Sequence, residues 1–395
     1  MSKVIVHIDL NAFFATCEQL VDPTLLNKPM AVGGLGRRGI ILAASYEARP
    51  FGVRAAIPTY QALELCPNLI IKSPHFNLYK KYSNIFREFI SKYSSILEMA
   101  SIDECFVDMT SALVGITDAA GYFKSIQMKL LEETGLKCSI GVGPTKFLAK
   151  MGSDYQKPLG VTIIRKRDIG KILFPLPIKD LYGVGKKTYP KLNELRIKTI
   201  GDFYKAPQSM LEPLLGRFYF VLIDWLNGKG DDAIVLTPSD PKSIGNSSTF
   251  MHDTNDYDEI RAMFDSLASE VSARAIEDRL LAKGIQITIR DTNFKTINRS
   301  QVMDHYFNDY QTILSQALFL FDQNYKGNLI RLVGIQIHDL KPIDEAVEQL
   351  SLFNYEEVIE KNKTRLLINE LNRKMKSGKL LRASDLHKDD HHGNK

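Results

Sequence analysis

Strand-like and helix-like periods alternate along the first 165 residues, and that alternation restricts the possible folds more than any other feature. Val4 to Asp9 alternates and is rich in β-branched residues, which predicts a strand. It runs straight into Asn11 to Leu20, which has helical spacing, and Gly39 to Ala44 is a second apolar run. Leu78 to Lys92 has helical period, and Ile96 to Met109 reads as two strands around a tight turn at Ser101-Ile-Asp-Glu. Ala119 to Thr134 predicts a helix, Lys137 to Gly143 a strand, and Pro144 to Met151 the start of a further helix. Strands and helices taken in turn give an α/β layer structure.

The pattern changes near Arg165-Lys-Arg. From there to about Gly230 it is helical, short-looped and Leu-rich, and Thr237-Pro-Ser-Asp-Pro-Lys is a polar, proline-bearing linker. Beyond it, Lys242 to Phe250, Gly284 to Arg290 and Leu329 to His338 predict strands, with helices at Tyr257 to Arg279 and Tyr306 to Phe321. That is a second, α+β domain, as a chain of 395 residues requires. From Lys341 the chain is charged, and a basic helix-like stretch over residues 358–388 reads most simply as a solvated face.

Apolar runs fall far short of the roughly 20 residues a membrane helix needs, and the N-terminus resembles neither a signal nor a transit peptide. Four scattered cysteines without a CxxC pair read as reduced and without structural zinc. A soluble, cytoplasmic, monomeric protein is the expectation. The net charge of +5 permits nucleic-acid binding without arguing for it.

The chemistry concentrates in three acids. Asp9 ends the first strand, and Asp103 and Glu104 sit side by side at a predicted turn. Adjacent carboxylates cannot both be buried unless paired or metal-bound. With a third from another strand end they suggest a hard-cation site of the magnesium type. Taken alone, each motif fits a helix cap or a solvated turn better. Tyr46 and Arg49 lie three apart at a helix start, an arrangement suited to phosphate, and Lys157 adds a point charge. Phe13 and Phe14 follow the first acid and are either core or a platform for the sugar of a nucleotide. Leu181-Tyr-Gly-Val-Gly-Lys-Lys opens what reads as two helices with a Gly-x-Gly turn. The amides around Gly183 and Gly185, with Lys186 and Lys187, could hold a nucleic-acid phosphate without reading sequence.

Together these residues resemble the Y-family DNA polymerases, in the DNA polymerase IV (DinB-type) branch. The resemblance rests on Val6-His-Ile-Asp-Leu-Asn-Ala-Phe-Phe-Ala, Ala44-Ser-Tyr-Glu-Ala-Arg, Phe51-Gly-Val-Arg, Ser101-Ile-Asp-Glu and Gly141-Val-Gly-Pro-Thr-Lys-Phe-Leu-Ala-Lys. Lys157-Pro-Leu-Gly and the hairpin at 181–203 match as well, and the resemblance covers about residues 3–340.

It implies a right-hand polymerase of α/β and α+β domains: palm at 1–10 and 77–165, fingers at 11–76, and a helical thumb at 166–232 carrying the helix-hairpin-helix. A linker at 233–241, a little finger at 242–340 and a tail at 341–395 would follow. The implied activity is template-directed, low-fidelity translesion synthesis at a primer 3′ end, with primer-template DNA and deoxynucleoside triphosphates as partners. Asp9, Asp103, Glu104 and the Leu10 carbonyl would ligate two Mg²⁺ ions. Phe14 would be the steric gate against ribonucleotides, beside Phe13, Tyr46, Arg49 and Lys157 as nucleotide contacts. Lys242 and Ser243 would open the little-finger strand on DNA, and Gln349, Leu350, Leu352 and Phe353 would anchor a sliding clamp. Position 10 is Leu where a small or aromatic residue is common, and position 105 is Cys where Ala is common. A nucleotidyl cyclase-like palm enzyme and a non-catalytic, clamp-tethered DNA-binding relative are the competing readings. The hairpin, linker and second domain speak against the first, and the intact acids against the second.

Overall fold

A computed structural model describes residues 3–237 and 240–345, and the chain divides into two compact units between Asp240 and Pro241. In the first unit the order is β1 (Ile5–Leu10), α1 (Phe13–Val21), β2 (Met30–Gly33), β3 (Ile41–Ala44), α2 (Thr59–Leu65), β4 (Ile70–Lys72) and α3 (Phe76–Ser91). Then come β5 (Leu97–Met99), β6 (Glu104–Asp108), α4 (Ala119–Thr134), β7 (Cys138–Gly143), α5 (Lys146–Tyr155) and β8 (Val161–Ile163). Five short helices close the unit: α6 (Ile169–Ile172), α7 (Tyr189–Glu194), α8 (Ile200–Lys205), α9 (Gln208–Leu215) and α10 (Phe218–Leu226).

Its main sheet runs β5-β6-β1-β7-β8, with β1 antiparallel to both neighbours. The central strands β1 and β7 are buried at every position, so they show little of the polar alternation of a one-sided sheet. Val6, Ile8, Val107 and Ile140 pack with Tyr79, Phe86 and Phe123 of α3 and α4. Helix α4 starts where the Asp118 carboxylate accepts from Gly121 N at 2.9 Å and stops at Gly135, whose φ of 74° few other residues tolerate. A separate small sheet, β3-β2-β4, has its own core around Ala31, Ile41 and Ala62. Helices α5 to α10 share a third core that includes Leu148, Leu192, Phe203 and Leu222.

Where the sequence predicts two helices around Gly183-Val-Gly, the structure differs. A single 3₁₀ turn at Ile178–Asp180 precedes the glycines, α7 follows them, and Leu195–Thr199 joins α7 to α8. Pro177 and Gly183, one lacking an N–H and the other at φ 91°, leave no room for a full first helix.

The second unit comprises β9 (Ser243–Thr254), α11 (Tyr257–Glu277), β10 (Leu280–Asp291), β11 (Thr296–Phe307), α12 (Tyr310–Asn324), β12 (Ile330–His338) and β13 (Lys341–Pro342). Its sheet runs β11-β10-β12-β9, and Phe264, Val271, Ile313 and Phe321 of the helices pack on Ile285, Ile287, Val333 and Ile335. The helix expected from Tyr306 begins at Tyr310 instead, because Tyr306 and Phe307 complete β11. The unit also reaches past 340: Lys341 and Pro342 pair with Leu281 and Leu280. Among the described residues no helix is long and apolar enough to cross a membrane.

Candidate active site

The acid motif is built by strand register. On antiparallel β1 and β6, Asp9 lies directly opposite Glu104, and the Leu10 N–H donates to the Asp103 carbonyl at 3.0 Å. Alternation then sends Cys105 to the other side of β6, where it is fully buried in the core and absent from the cleft lining. The unusual residue at 105 therefore leaves the site's wall unchanged.

Two lysines face the acids. Lys150 Nζ lies 2.6 Å from Glu104 Oε1 and 3.4 Å from Asp9 Oδ2. Lys157 Nζ lies 2.7 Å from Asp9 Oδ2 and 2.7 Å from Asp154 Oδ1. Lys150 reaches the acids because α5 lies unusually close to β7. A Cβ on Gly141 would stand 1.9 Å from the Ala149 carbonyl oxygen and 2.2 Å from Ser153 N. Lys157 is placed through its loop: the Asn11 side-chain Oδ1 accepts from Leu159 N at 2.9 Å, and Asn11 Nδ2 donates to Ser139 Oγ at 3.0 Å.

Burial pushes the Asp9 carboxyl up to about 7, helped by its hydrogen bond with Glu104 and opposed by Lys157 and Lys150. Burial costs Glu104 as well, but hydrogen bonds with His7, Asp9 and Lys150 hold it below the ordinary carboxylate range. His7 is fully buried between Ser153 Oγ at 2.8 Å and Glu104 Oε2 at 3.6 Å, and burial lowers its pKa. Two ammonium groups thus stand against two carboxylates that burial alone would disfavour. Asp103 is aimed differently, its Oδ1 accepting from Ser101 Oγ at 2.6 Å. Among the described residues no three His, Cys, Asp or Glu side chains converge as a closed metal cage. The donors present are carboxylates and a carbonyl, the hard oxygens that magnesium-type ions take alongside water and phosphate.

A cleft of about 410 Å³ opens over the acids. It is lined by Asp9, Leu10 and Asp103, by Phe13 and Phe14, and by Tyr46, Arg49, Arg54 and Lys157. Leu42, Ala43 and Ala44 of β3 form its small-residue wall. The Arg49 guanidinium rests 4.0 Å from the Tyr46 ring centroid, and its Nε donates to the Ala44 carbonyl at 3.4 Å. Of the two aromatics, Phe13 is core at 3% exposure while Phe14 remains partly open. Phe13 is thus mostly core, yet both rings reach the cleft lining.

Two residues, Lys150 beside the acids and Arg54 in the cleft, carry no role in the sequence reading. Lys150 had a signal, since Lys146-Phe-Leu-Ala-Lys spaces two cations one helical turn apart, but no linear pattern reveals that α5 crosses the acids. Arg54 stands inside a motif already noted, Phe51-Gly-Val-Arg, and joins Arg49 in the cleft. Lys186 and Lys187 are exposed at the start of α7, and Lys242 and Ser243 are exposed where β9 begins. Gln349, Leu350, Leu352 and Phe353 lie outside the described residues.

Residues 8–154 match the model of the impB/mucB/samB family, and residues 241–352 match that family's C-terminal domain. The chain is 39% identical over 382 residues to a DNA polymerase IV of Bacillus velezensis, across 94% of this chain and 90% of the relative. It is 38% identical over 397 residues to DNA polymerase IV 1 of Bacillus subtilis, across 98% and 94%. A solved Y-family DNA polymerase chimera superposes with a TM-score of 0.75 at 24% identity, covering 86% of this chain and 99% of that one. At that identity the likeness speaks for the fold.

Sheet, small second sheet, helical core and separate α+β unit together define a right-hand polymerase architecture. The chain belongs to the impB/mucB/samB family, the Y family of DNA polymerases, within the branch of the DNA polymerases IV. Dependence on a divalent metal goes with that membership.

Proposed function

We infer that the chain is a template-directed, low-fidelity DNA polymerase for translesion synthesis, adding deoxynucleotides to a primer 3′ end. One observation carries the reading. Asp9, held in register opposite Glu104, opens with Asp103 into the same cleft as Phe13, Phe14, Tyr46, Arg49, Arg54 and Lys157. Acids beside cationic side chains and aromatic rings suit a nucleoside triphosphate.

In this reading residues 1–10 and 77–165 form the palm, 11–76 the fingers, 166–232 the thumb and 242–340 the little finger. Asp9, Asp103, Glu104 and the Leu10 carbonyl would hold two Mg²⁺ ions. When bound, these ions would lower the pKa of the attacking primer hydroxyl and neutralise the pyrophosphate that leaves. The protein's own residues do the rest. Arg49, Arg54 and Lys157 clamp the triphosphate oxygens, and Tyr46 packs beneath the Arg49 guanidinium and orients it. Lys150 offsets the charge of Asp9 and Glu104 and keeps the two carboxylates side by side. Phe14 fills the space that a 2′-hydroxyl would need.

Primer extension tests the reading. Purified protein with Mg²⁺ should add the deoxynucleotides that a template dictates. Template-free cyclisation of a nucleoside triphosphate would instead mark a cyclase, and clamp-dependent DNA binding without incorporation a non-catalytic relative.

DNA would be gripped partly through Gly183-Val-Gly-Lys-Lys. The two lysines are exposed and would meet phosphates, contacts that carry no base information. Replacing Lys186 and Lys187 with Ala should weaken binding equally on unrelated sequences and reduce the salt slope of the binding constant by about one to two. Titrations at several salt concentrations on two unrelated duplexes check this. A loss confined to one sequence would count against it.

A further inference from the structure

Glu18 is a buried carboxylate that the proposed reaction does not use. It lies on α1 and is only 3% exposed. A charge so placed must be held by hydrogen bonds. The Tyr79 hydroxyl donates to Glu18 Oε1 at 2.6 Å, and His75 Nδ1 lies 2.9 Å and 3.1 Å from its two oxygens. Burial first, and Glu18 second, push the Tyr79 hydroxyl well above its ordinary range, so it stays protonated and donates.

The same tyrosine touches one of the cleft's aromatics. The fully buried Tyr79 ring is stacked on Phe14, with centroids 4.2 Å apart and planes 12° from parallel. Phe76 closes edge-on against both, at 6.2 Å from Phe14 and 5.9 Å from Tyr79. Helical spacing produces this. Phe14 and Glu18 are four apart on α1, while His75, just before α3, is four from Tyr79. Neither Glu18 nor Tyr79 lines the cleft. Stacking alone lets two rings slide and turn over one another, whereas a hydrogen bond at the far end of the tyrosine fixes its plane.

We propose that Glu18 is a positioning residue for sugar selection: it anchors the Tyr79 hydroxyl, and the anchored Tyr79 ring holds Phe14 against the sugar of the incoming nucleotide. This rests on the reading of Phe14 as the steric gate. Single-nucleotide incorporation by the full chain, with deoxy- and ribonucleoside triphosphates compared, tests both. Tyr79→Phe keeps the stack and loses the anchor. It should lower the deoxy-to-ribo selectivity in kcat/KM by about five- to tenfold, carried by a lower KM for the ribonucleotide. Glu18→Gln, whose amide oxygen still accepts from Tyr79, should stay within about twofold of wild type, while Glu18→Ala should match Tyr79→Phe.

The decisive arm is the Phe14→Ala background. If Tyr79 acts through the gate, adding Tyr79→Phe there should change selectivity no further. If Phe14→Ala relaxes selectivity but Tyr79→Phe alone does not, the gate stands and the positioning role falls. The role also falls if the two changes add independently. If Phe14→Ala itself leaves selectivity unchanged, the gate reading fails, and the proposal fails with it.

Discussion

Asp9→Asn should lower primer extension by about a thousandfold or more, the equivalent of roughly 4 kcal/mol of transition-state stabilisation. Asp9 is the register partner of Glu104 and a contact of both Lys150 and Lys157, so it is the hub of the acidic floor. The amide keeps the side chain's volume and would remove one of the proposed oxygen ligands, while Lys186 and Lys187 are untouched. DNA affinity should stay within a few-fold. The fold should survive too. Burial lifts the Asp9 carboxyl well above its ordinary 3.8, which favours the protonated form that Asn imitates. The sign follows from linkage. A carboxyl raised on folding contributes its full stability below the unfolded value and loses it as pH rises through the folded one. In metal-free buffer at pH 8 the variant's thermal midpoint should therefore equal or exceed that of wild type. Added Mg²⁺ should raise the wild-type midpoint and leave the variant nearly still, because only the intact site gains by mass action. Extension within tenfold of wild type would remove Asp9 from the metal-holding set.

The parts of the chain that were legible are those where local pattern and tertiary role coincide. β1, α4 and β7 could be placed to within a residue or two, because each is a long apolar or amphipathic run with clear ends. The turn at Ser101 to Glu104 was legible for the same reason. β2 and β4 were not, being three or four residues long and paired in parallel across α2. β11 was missed because it is an edge strand, largely exposed, with no apolar alternation from Thr296 to Met303. The aromatics Tyr306 and Phe307 at its end then looked like the opening turn of α12. In the site, Asp9 and Glu104 could be named from sequence, but not Lys150, whose partners lie 141 and 46 residues away. Phe13 and Phe14 look alike in the sequence, and only the packing of α1 buries Phe13 more deeply than Phe14 while both reach the cleft.

Replacing both Leu352 and Phe353 with Ala should nearly abolish binding to a sliding clamp. Two apolar anchors, each worth about 1.5–3 kcal/mol when fully buried, together correspond to roughly a hundredfold to ten-thousandfold in affinity. The attachment of the segment can be traced up to its start. Lys341 and Pro342 pair with β10, Ile343 N donates to the Arg279 carbonyl at 3.0 Å, and Asp344 meets Arg279 at 3.3 Å. Gln349 follows Glu345, the last described residue, by four positions. An anchor so near the α+β unit would hold that unit close to the clamp and raise the effective concentration of the active site at the primer end. The loss should therefore appear only where a clamp is loaded. On short primers without clamp, the double variant should extend as wild type does. On clamp-loaded templates wild type should gain product length and the double variant should not. If the variant still gains from the clamp, the anchor lies elsewhere. If it also loses clamp-independent extension, these two side chains pack against the enzyme itself and are not held out to a partner.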